Sequence, residues 1–423
     1  MNRIVVSLLL GGALTTQATD GYFSDGYGLK SKGRAGVAQT STDDAFGGAN
    51  NPATVAVAGD RVDFGIDWFR PDRSVDRTGP AVPLNGAATS DRHNFFIPEL
   101  GYTRALGEKV AIGLALYGNG GMNTDYAAGQ LNLGPGASDR NLLAGPGHLG
   151  VNLTQLLVAP TVALRIAEDH SLGLSPILGY QQFKAYGLAA FSPLSQDPQS
   201  LTDEGIDDSW GGGFRLGYLW TASPAFSLGL TYSSPVWMEK FDKYKGLFAG
   251  DGTFDIPQSV GAGISFAVSP SVRVGIDYKW IDYSSVPGVG NPSTNLGLLG
   301  QEGGPGFGWQ SISVIKLGVD WKATERWTFR TGYSYNENPV TSRDVTFNFL
   351  APGVVQHHAT VGVTYGFGRQ EKNEITLAYV HAFKESVTGE SRFVGLGMAP
   401  AGTEETISMS QDSLGIQYSY RFR

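Results

Sequence analysis

The chain has 423 residues, carries a formal net charge of −8 and contains no cysteine. The missing cysteines exclude a disulfide framework, a thiolate nucleophile and a cysteine metal site, and the negative charge argues against binding to nucleic acid. Its 59 glycines and 11% aromatic residues, with only 17% charged residues, are typical of membrane β-barrels, although soluble β-rich proteins share such values.

The first residues have the pattern of a secretory signal peptide. Arg3 supplies a positive charge, residues 4–14 form an apolar run, and Thr16-Gln17-Ala18 is a small-residue cleavage site. We therefore expect residues 1–18 to be a signal peptide; the alternative is a short buried helix or anchor. No later apolar run reaches the ~20 residues that a transmembrane helix needs. If the exported chain spans a membrane, it must do so as a closed barrel.

Residues 19–58 are rich in Gly, Ala and Ser, so they cannot fill a hydrophobic core of their own. Near their end stands Asn51-Pro52-Ala53, where the proline fixes φ and gives up its backbone donor. A small segment without a core, ahead of a long β region, predicts a plug or hatch inside a barrel. We expect that barrel to comprise residues 59–423.

The rest of the chain alternates with a period of two, as half-buried β-strands do. One segment sets Val272, Val274, Ile276, Tyr278 and Trp280 against Arg273, Gly275, Asp277 and Lys279. Charges and glycines on the second face, with aromatic residues near strand ends, favour a membrane barrel over a secreted soluble protein. Short turns alternate with long loops, as in outer-membrane barrels. The pattern predicts an all-β fold, a transmembrane antiparallel β-barrel of about 14 strands.

Catalytic motifs are missing from the sequence: it has no G-x-S-x-G elbow, no P-loop and no H-E-x-x-H. We expect neither an enzyme nor a bound cofactor. His357 and His358 point to opposite faces of a strand, which is poor geometry for a shared metal. Asp43 and Asp44 lack a partner at metal-loop spacing, and we expect them to be solvated loop acids.

Two features could serve substrate binding. The loop from Val236 to Phe248 spaces its aromatic residues as one face of a helix, which either offers a hydrophobic solute a landing groove or packs onto the barrel rim. These residues are Trp237, Phe241, Tyr244 and Phe248. The alternation of the strands also predicts that five cations face the lumen, where they would attract a carboxylate. They are Lys184, Arg215, Lys279, Lys316 and Arg330. Asp277 and Asp320 face the same way, so a charge network filling the pore is the alternative.

The stretch from Gly21 to Ala53 resembles the N-terminal region of the FadL/TodX family of outer-membrane transporters, with Asn51-Pro52-Ala53 standing where that family carries its N-P-A element. The stretch from Trp327 to Val340 resembles one that the family often shows on a late strand. The resemblance implies passive uptake of long-chain fatty acids or aromatic hydrocarbons. An extracellular groove would capture the ligand, and hatch movement would release it sideways through a kinked strand into lipid.

The resemblance also places the kinked strand near Lys109 to Asn119, where Gly118, Gly120 and Gly121 could interrupt pairing. Lys184 lies on a strand resembling the one that supplies a basic ligand residue in fatty-acid transporters. We expect a monomer in the outer membrane of a Gram-negative bacterium, in contact with lipid, lipopolysaccharide and hydrophobic small molecules. The lumen cations favour fatty acids over aromatic hydrocarbons. A general porin and an adhesin or phage receptor are the competing functions.

Overall fold

A computed structural model describes residues 20–131 and 139–422, so the predicted signal peptide lies outside the described residues. Sixteen strands occur in this part of the chain. They are β1 (Arg61–Thr78), β2 (Gly86–Thr89), β3 (Phe95–Ala105), β4 (Val110–Asn123), β5 (Gly150–Arg165), β6 (His170–Tyr186), β7 (Asp207–Ser223), β8 (Phe226–Ser233), β9 (Trp237–Met238), β10 (Ser259–Ser269), β11 (Val272–Ile281), β12 (Ile312–Lys322), β13 (Trp327–Asn336), β14 (His357–Phe367), β15 (Asn373–Glu390) and β16 (Glu404–Arg421).

Fourteen of these strands form a closed antiparallel barrel. Consecutive wall strands pair around the sheet, and β1 pairs with β16 along its whole length, from Arg61 opposite Arg421 to Thr78 opposite Glu404. The two short strands are not counted as wall strands, because β2 pairs only with the end of β1 and β9 pairs only with β7. The predicted all-β barrel of about 14 strands is therefore confirmed.

The two faces of the wall differ as a membrane requires. On β6 the outward side chains of Leu172, Leu174 and Leu178 are 44–57% exposed, whereas Ser171 and Ser175 face inward and are buried. At the long-loop end of this apolar belt the rings of Tyr180 and Trp210 pack 4.7 Å apart. At the short-turn end the ring of His170 stacks on that of Trp220. Aromatic rings at both margins of an apolar belt mark the two membrane interfaces.

The long loops carry short helices and fold together over one end of the barrel. α-Helical turns span Leu29–Lys32, Ala249–Gly252, Pro287–Gly290 and Arg392–Gly395. The 3-10 turns are Pro52–Ala56, Val82–Leu84, Ala189–Leu194, Pro198–Ser200, Asp242–Tyr244, Tyr283–Ser285, Ser342–Asp344, Phe347–Phe349 and Arg369–Glu371. Among residues 20–131 and 139–422, no helix combines the length and the apolar character needed to cross a membrane.

The ends of the barrel differ in polarity. The loop end encloses the largest hydrophobic cluster, which includes Tyr283, Trp309 and Phe349. The short-turn end opens into a polar vestibule lined in part by turn residues such as Glu168 and Glu325.

We expect Leu174→Arg to lower the free energy of unfolding by about 2–4 kcal/mol, because it places a charge on the lipid-facing surface inside the apolar belt. Gln182→Arg, on the same face of β6 but beyond the Tyr180 ring, should cost only about 0–1 kcal/mol. Denaturant titrations of both variants in phospholipid vesicles measure the difference. Equal costs would contradict the assignment of the belt.

Candidate functional site

The N-terminal segment (residues 20–60) lies inside the barrel. Every residue from Asp20 to Ala38 is buried. The segment forms hydrogen bonds within its own short turns. It also uses the wall, since several of its backbone N–H groups donate to inward-facing side chains around the circumference. These bonds run from Gly28 to Glu99, Leu29 to Gln417, Ala35 to Thr360, and Ala38 and Gln39 to Asp277, at 2.6–3.0 Å.

Ion pairs hold the same segment to the lumen. Those between the segment and the wall are Lys30–Glu374 (2.5 Å), Lys32–Asp67 (2.8 Å), Arg34–Asp320 (3.0 Å), Asp20–Lys316 (2.9 Å) and Asp43–Arg330 (3.1 Å). A buried charge is tolerated only with a partner and hydrogen bonds, so each pair fixes one point of the segment against one strand.

Three of the five predicted lumen cations contribute to this anchoring. Lys316 and Arg330 face inward as predicted, but they bind the acids of the N-terminal segment. The guanidinium of Arg215 donates to the carbonyl of Gly48 at 3.0 Å and to that of Ala49. For these three residues the structure matches the alternative of a charge network rather than a free head-group site.

The prediction that Lys184 faces the lumen is wrong. On β6 the buried, inward residues are Gln181, Phe183 and Ala185, and Lys184 lies on the outer surface with its Nζ 5.3 Å from the Tyr186 ring centre. The polarity of the two faces inverts above the apolar belt: the inner face packs against apolar loops there, and the outer face becomes polar. A rule that assigns polar residues to the lumen therefore fails at this end.

Lys279 is the remaining predicted cation, and it faces inward. Its Nζ lies 5.0 Å from the centre of the Phe23 ring. Unlike Lys316 and Arg330, it forms no salt bridge with a described residue. With Asp25, Asp277, Arg215 and Lys316 it lines a small polar cavity between the N-terminal segment and the wall.

The expectation that Asp43 and Asp44 are solvated loop acids is also wrong. Asp43 accepts hydrogen bonds from Arg34 and Arg330. The Asp44 side chain is buried, and burial together with the negative charges of Asp43 and Asp63 raises its pKa to about 6. Both acids sit in the lumen because the segment that carries them is folded into it.

The Asn51-Pro52-Ala53 element begins a 3-10 turn. The Asn51 side chain accepts a hydrogen bond from the Ala53 N–H at 3.1 Å and donates to the carbonyls of Gln39 (2.7 Å) and Tyr218 (3.0 Å). Asparagine has both the acceptor and the two donors that these bonds need. The wall makes room with Gly217, whose Cβ would lie 2.1 Å from the Asn51 Oδ1.

The barrel wall is interrupted between β3 and β4. Their ladder runs only from Leu100 opposite Leu116 to Ala105 opposite Ala111, although β4 continues to Asn123 along β5. A bulge between Gly118 and Gly120 falls where the ladder to β3 has ended.

The N-terminal segment forms backbone hydrogen bonds to the part of β4 that β3 leaves unpaired. Phe23 forms an antiparallel bridge with Gly120, the Ser24 N–H donates to the Asn119 carbonyl at 2.9 Å, and the Gly121 N–H donates to the Tyr22 carbonyl at 3.1 Å. Residues 22–24 thus supply the backbone partners that β3 does not. They lie at the glycines predicted from the sequence.

Aromatic side chains from the loops hold the start of the segment in this position. The Tyr283 hydroxyl accepts from the Tyr22 N–H at 3.2 Å and donates to the Asp20 carbonyl at 2.5 Å. The Trp309 ring packs 5.7 Å from that of Tyr22.

An apolar pocket lies among the long loops, and none of its described lining residues is charged. The lining comprises Leu143, Leu188, Phe191, Leu201, Leu247, Phe248, Gly288, Leu299, Pro305, Gly306, Phe307, Phe347 and Leu350. Such a pocket suits the apolar part of a solute, because burial removes hydrocarbon from water at ~25 cal/mol per Å².

Of the four aromatic residues predicted on a loop helix, only Phe248 lines this pocket. Phe241 and Tyr244 are buried against Phe183, while Trp237 is 57% exposed on the outer surface. The predicted helix is wrong: residues 236–248 contain the two-residue strand β9 and one 3-10 turn. Tertiary pairing overrides the helical spacing, since Val236 bridges to Ile256.

His357 and His358 point to opposite faces, as strand geometry requires. His358 is fully buried in the lumen wall. His357 lies on the outer surface, where its Nδ1 forms a 2.5 Å hydrogen bond with the Tyr333 hydroxyl. Within the described residues, no group of three or more His, Asp or Glu side chains is placed to hold a metal ion.

Comparison with known proteins identifies the family. A profile described as outer membrane protein transport protein (OMPP1/FadL/TodX) matches residues 13–422. The chain belongs to this family. FadL/TodX members are transport proteins for hydrophobic compounds in the outer membrane, which agrees with the closed 14-strand barrel.

Relatives within the FadL/TodX family differ in the substrates that they are named for. A long-chain fatty acid transport protein of Escherichia coli O6:H1 is 25% identical over 402 residues, covering 87% of each chain. A solved FadL homologue of Pseudomonas aeruginosa superposes with a TM-score of 0.69 at 16% identity, covering 95% of this chain and 100% of that one. The Pseudomonas putida toluene transporter TodX reaches 0.68 at 19% identity, covering 96% and 100%. These structures share the fold.

We expect Lys32→Met to loosen the N-terminal segment, because it breaks the buried ion pair between Lys32 and Asp67, at a cost of about 3–5 kcal/mol. Single-channel recordings in planar bilayers should show openings that are more frequent than in the native protein. Lys322→Met, which removes an exposed lysine at the short-turn end, serves as the control. Indistinguishable recordings from native protein and Lys32→Met would contradict an anchoring role.

Proposed function

We propose that this member of the FadL/TodX family carries long-chain fatty acids across the outer membrane. The observation that supports this choice is Lys279, an inward-facing cation without a salt bridge among residues 20–131 and 139–422, in a polar cavity below an apolar loop pocket. A fatty acid needs both environments, whereas an aromatic hydrocarbon needs only the apolar one.

Capture would begin at the apolar loop pocket. Its uncharged lining can cover an acyl chain, and the neighbouring hydrophobic cluster excludes water from it. The carboxylate would then move to the polar cavity, where a charge-assisted hydrogen bond to the Lys279 ammonium is stronger than one between neutral groups. Arg215 and Lys316 are already bonded to the N-terminal segment.

Binding at Lys279 would act directly on the hatch. The ammonium now lies against Phe23, the residue that bridges to Gly120. A carboxylate that draws Lys279 away removes this contact and weakens the hold of residues 22–24 on β4. Departure of these residues would expose the interrupted wall between β3 and β4, through which an apolar solute can pass sideways into lipid.

The interrupted wall cannot stand open in hydrocarbon for long. Unpaired backbone groups in lipid cost several kcal/mol each, so the edge of β4 needs a partner. The N-terminal segment supplies that partner at rest, and a transient opening is consistent with a gate rather than a permanent pore.

Uptake of aromatic hydrocarbons by the same route is the second candidate, favoured by the uncharged loop pocket. Lys279→Met separates the two substrates. We expect this variant to take up labelled long-chain fatty acid at least about tenfold more slowly, because a hydrogen bond to a charged group is worth about 1.5–3 kcal/mol. Toluene uptake should not change. Cells producing Lys322→Met provide the control, and undiminished fatty-acid uptake by Lys279→Met would reject the head-group role.

The gate is tested by locking it. The chain has no cysteine, so a Ser24→Cys, Asn119→Cys variant can form only one disulfide, between neighbours on the segment and on β4. We expect the oxidised variant to take up neither fatty acid nor toluene, and a reductant to restore both, because the segment can then leave the wall. A Val363→Cys, Leu377→Cys variant, which joins two paired wall strands, should transport in both states. Full uptake by the oxidised gate variant would refute lateral release.

A further inference from the structure

The long-loop end of β6 carries charge on its outer surface. Outward residues of this strand pass from Leu178 to Tyr180, whose ring contacts Trp210, and then to Gln182 and Lys184. Lys184 stands four residues beyond the aromatic ring, about 13 Å along the strand. It therefore lies at the level of lipid head groups on the long-loop side, which is the extracellular side of an outer-membrane barrel.

Lys184 belongs to a group of polar side chains that we name the rim cluster: Arg92, Asp125, His148, Lys184 and Tyr186. Asp125 lies at its centre, since its carboxylate is 3.5 Å from the Arg92 Nε and 2.9 Å from the His148 Nδ1. The Tyr186 hydroxyl donates to the Thr124 carbonyl at 2.9 Å, which fixes the ring beside Lys184. Four different chain segments thus converge on one spot.

The rim cluster presents positive charge to its surroundings. The side chains of Arg92 and His148 are 57% and 55% exposed, whereas that of Asp125 is only 19% exposed. The acid therefore holds the Arg92 and His148 side chains in place from the inner side and is itself mostly covered. Asp208, an outward acid on the next strand, lies one row lower, opposite Gln182.

We propose that the rim cluster binds phosphate groups of the lipopolysaccharide that faces the barrel in the outer leaflet. A guanidinium matches the geometry of phosphate oxygens, and an ammonium adds a second positive charge within reach. The apolar belt directly below, including Leu174 and Leu178, suits the acyl chains of the same molecule. A free phosphate ion would use the charges and gain nothing from the belt.

The site stands at the extracellular end of the wall interruption. Arg92 precedes β3, and Asp125 follows β4, the two strands whose ladder ends at Leu100 and Leu116. A glycolipid held there would lie against the outside of the interrupted wall.

The experiment measures binding of bisphosphorylated lipid A to the full chain in detergent by native mass spectrometry. Arg92→Gln with Lys184→Gln should weaken binding about 25-fold, since a cation near a charged lipid surface is worth about 1 kcal/mol, or about fivefold. The control is Lys322→Gln with Arg326→Gln, an exposed lysine and arginine at the short-turn end, which should remain within about twofold of the native chain. Native-like binding by the first variant would overturn the assignment.

A second measurement needs no variant. Lipid A stripped of both phosphates should bind the native chain as weakly as the intact lipid binds the double variant, because the charges have then lost their partner. Equal binding of the two lipids would overturn the proposal. Millimolar inorganic phosphate should leave lipid A bound, and full displacement would instead assign a site for free anions.

Discussion

Backbone hydrogen bonding in lipid is the constraint from which this structure follows. A peptide group inside hydrocarbon has no water to bond, so a strand that crosses the membrane needs neighbours on both edges. Closure of β1 on β16 meets that need for the barrel as a whole. The exception is β4, which continues beyond the end of its ladder with β3. There, residues 22–24 of the N-terminal segment provide the backbone partners. One segment therefore both occupies the lumen and completes the wall.

The contact between the N-terminal segment and the lumen has the polar character that the proposed movement of this segment would require. Ion pairs and hydrogen bonds such as Lys32–Asp67 and Gly28–Glu99 make up much of it. Separating a buried ion pair exposes both charges to water, which returns their hydration energy and offsets much of the lost attraction. An apolar contact has no such compensation, since its exposed surface costs ~25 cal/mol per Å². Polar contacts can thus hold the N-terminal segment in one specific position and still be separated at low cost.

Periodicity in the sequence predicts the barrel, because every wall strand must alternate between lipid and lumen. The N-P-A element also indicates the family before any coordinates are known. Lys184 shows where the pattern fails. Beyond the hydrocarbon region the inner face of the strand packs against apolar loops, so a polar side chain there no longer indicates the face toward the lumen. Phe241 and Tyr244 show the same for the loops, where tertiary pairing with residues near Ile256 replaces a helix. The contacts of Tyr22 with Tyr283 and Trp309 join residues more than 250 positions apart, and no local pattern carries them.

The unequal ends of the barrel also set the direction in which a hydrophobic cargo partitions. Beneath the N-terminal segment lies the polar vestibule, which opens to the aqueous side at the short-turn end and is a poor solvent for an acyl chain or an arene. The hydrocarbon beside the wall is a good one. A solute freed from the lumen would therefore equilibrate with the membrane phase and not with the aqueous compartment below. The barrel would then work as a phase-transfer device that loads its own membrane, and removal of cargo from that membrane would be a separate step.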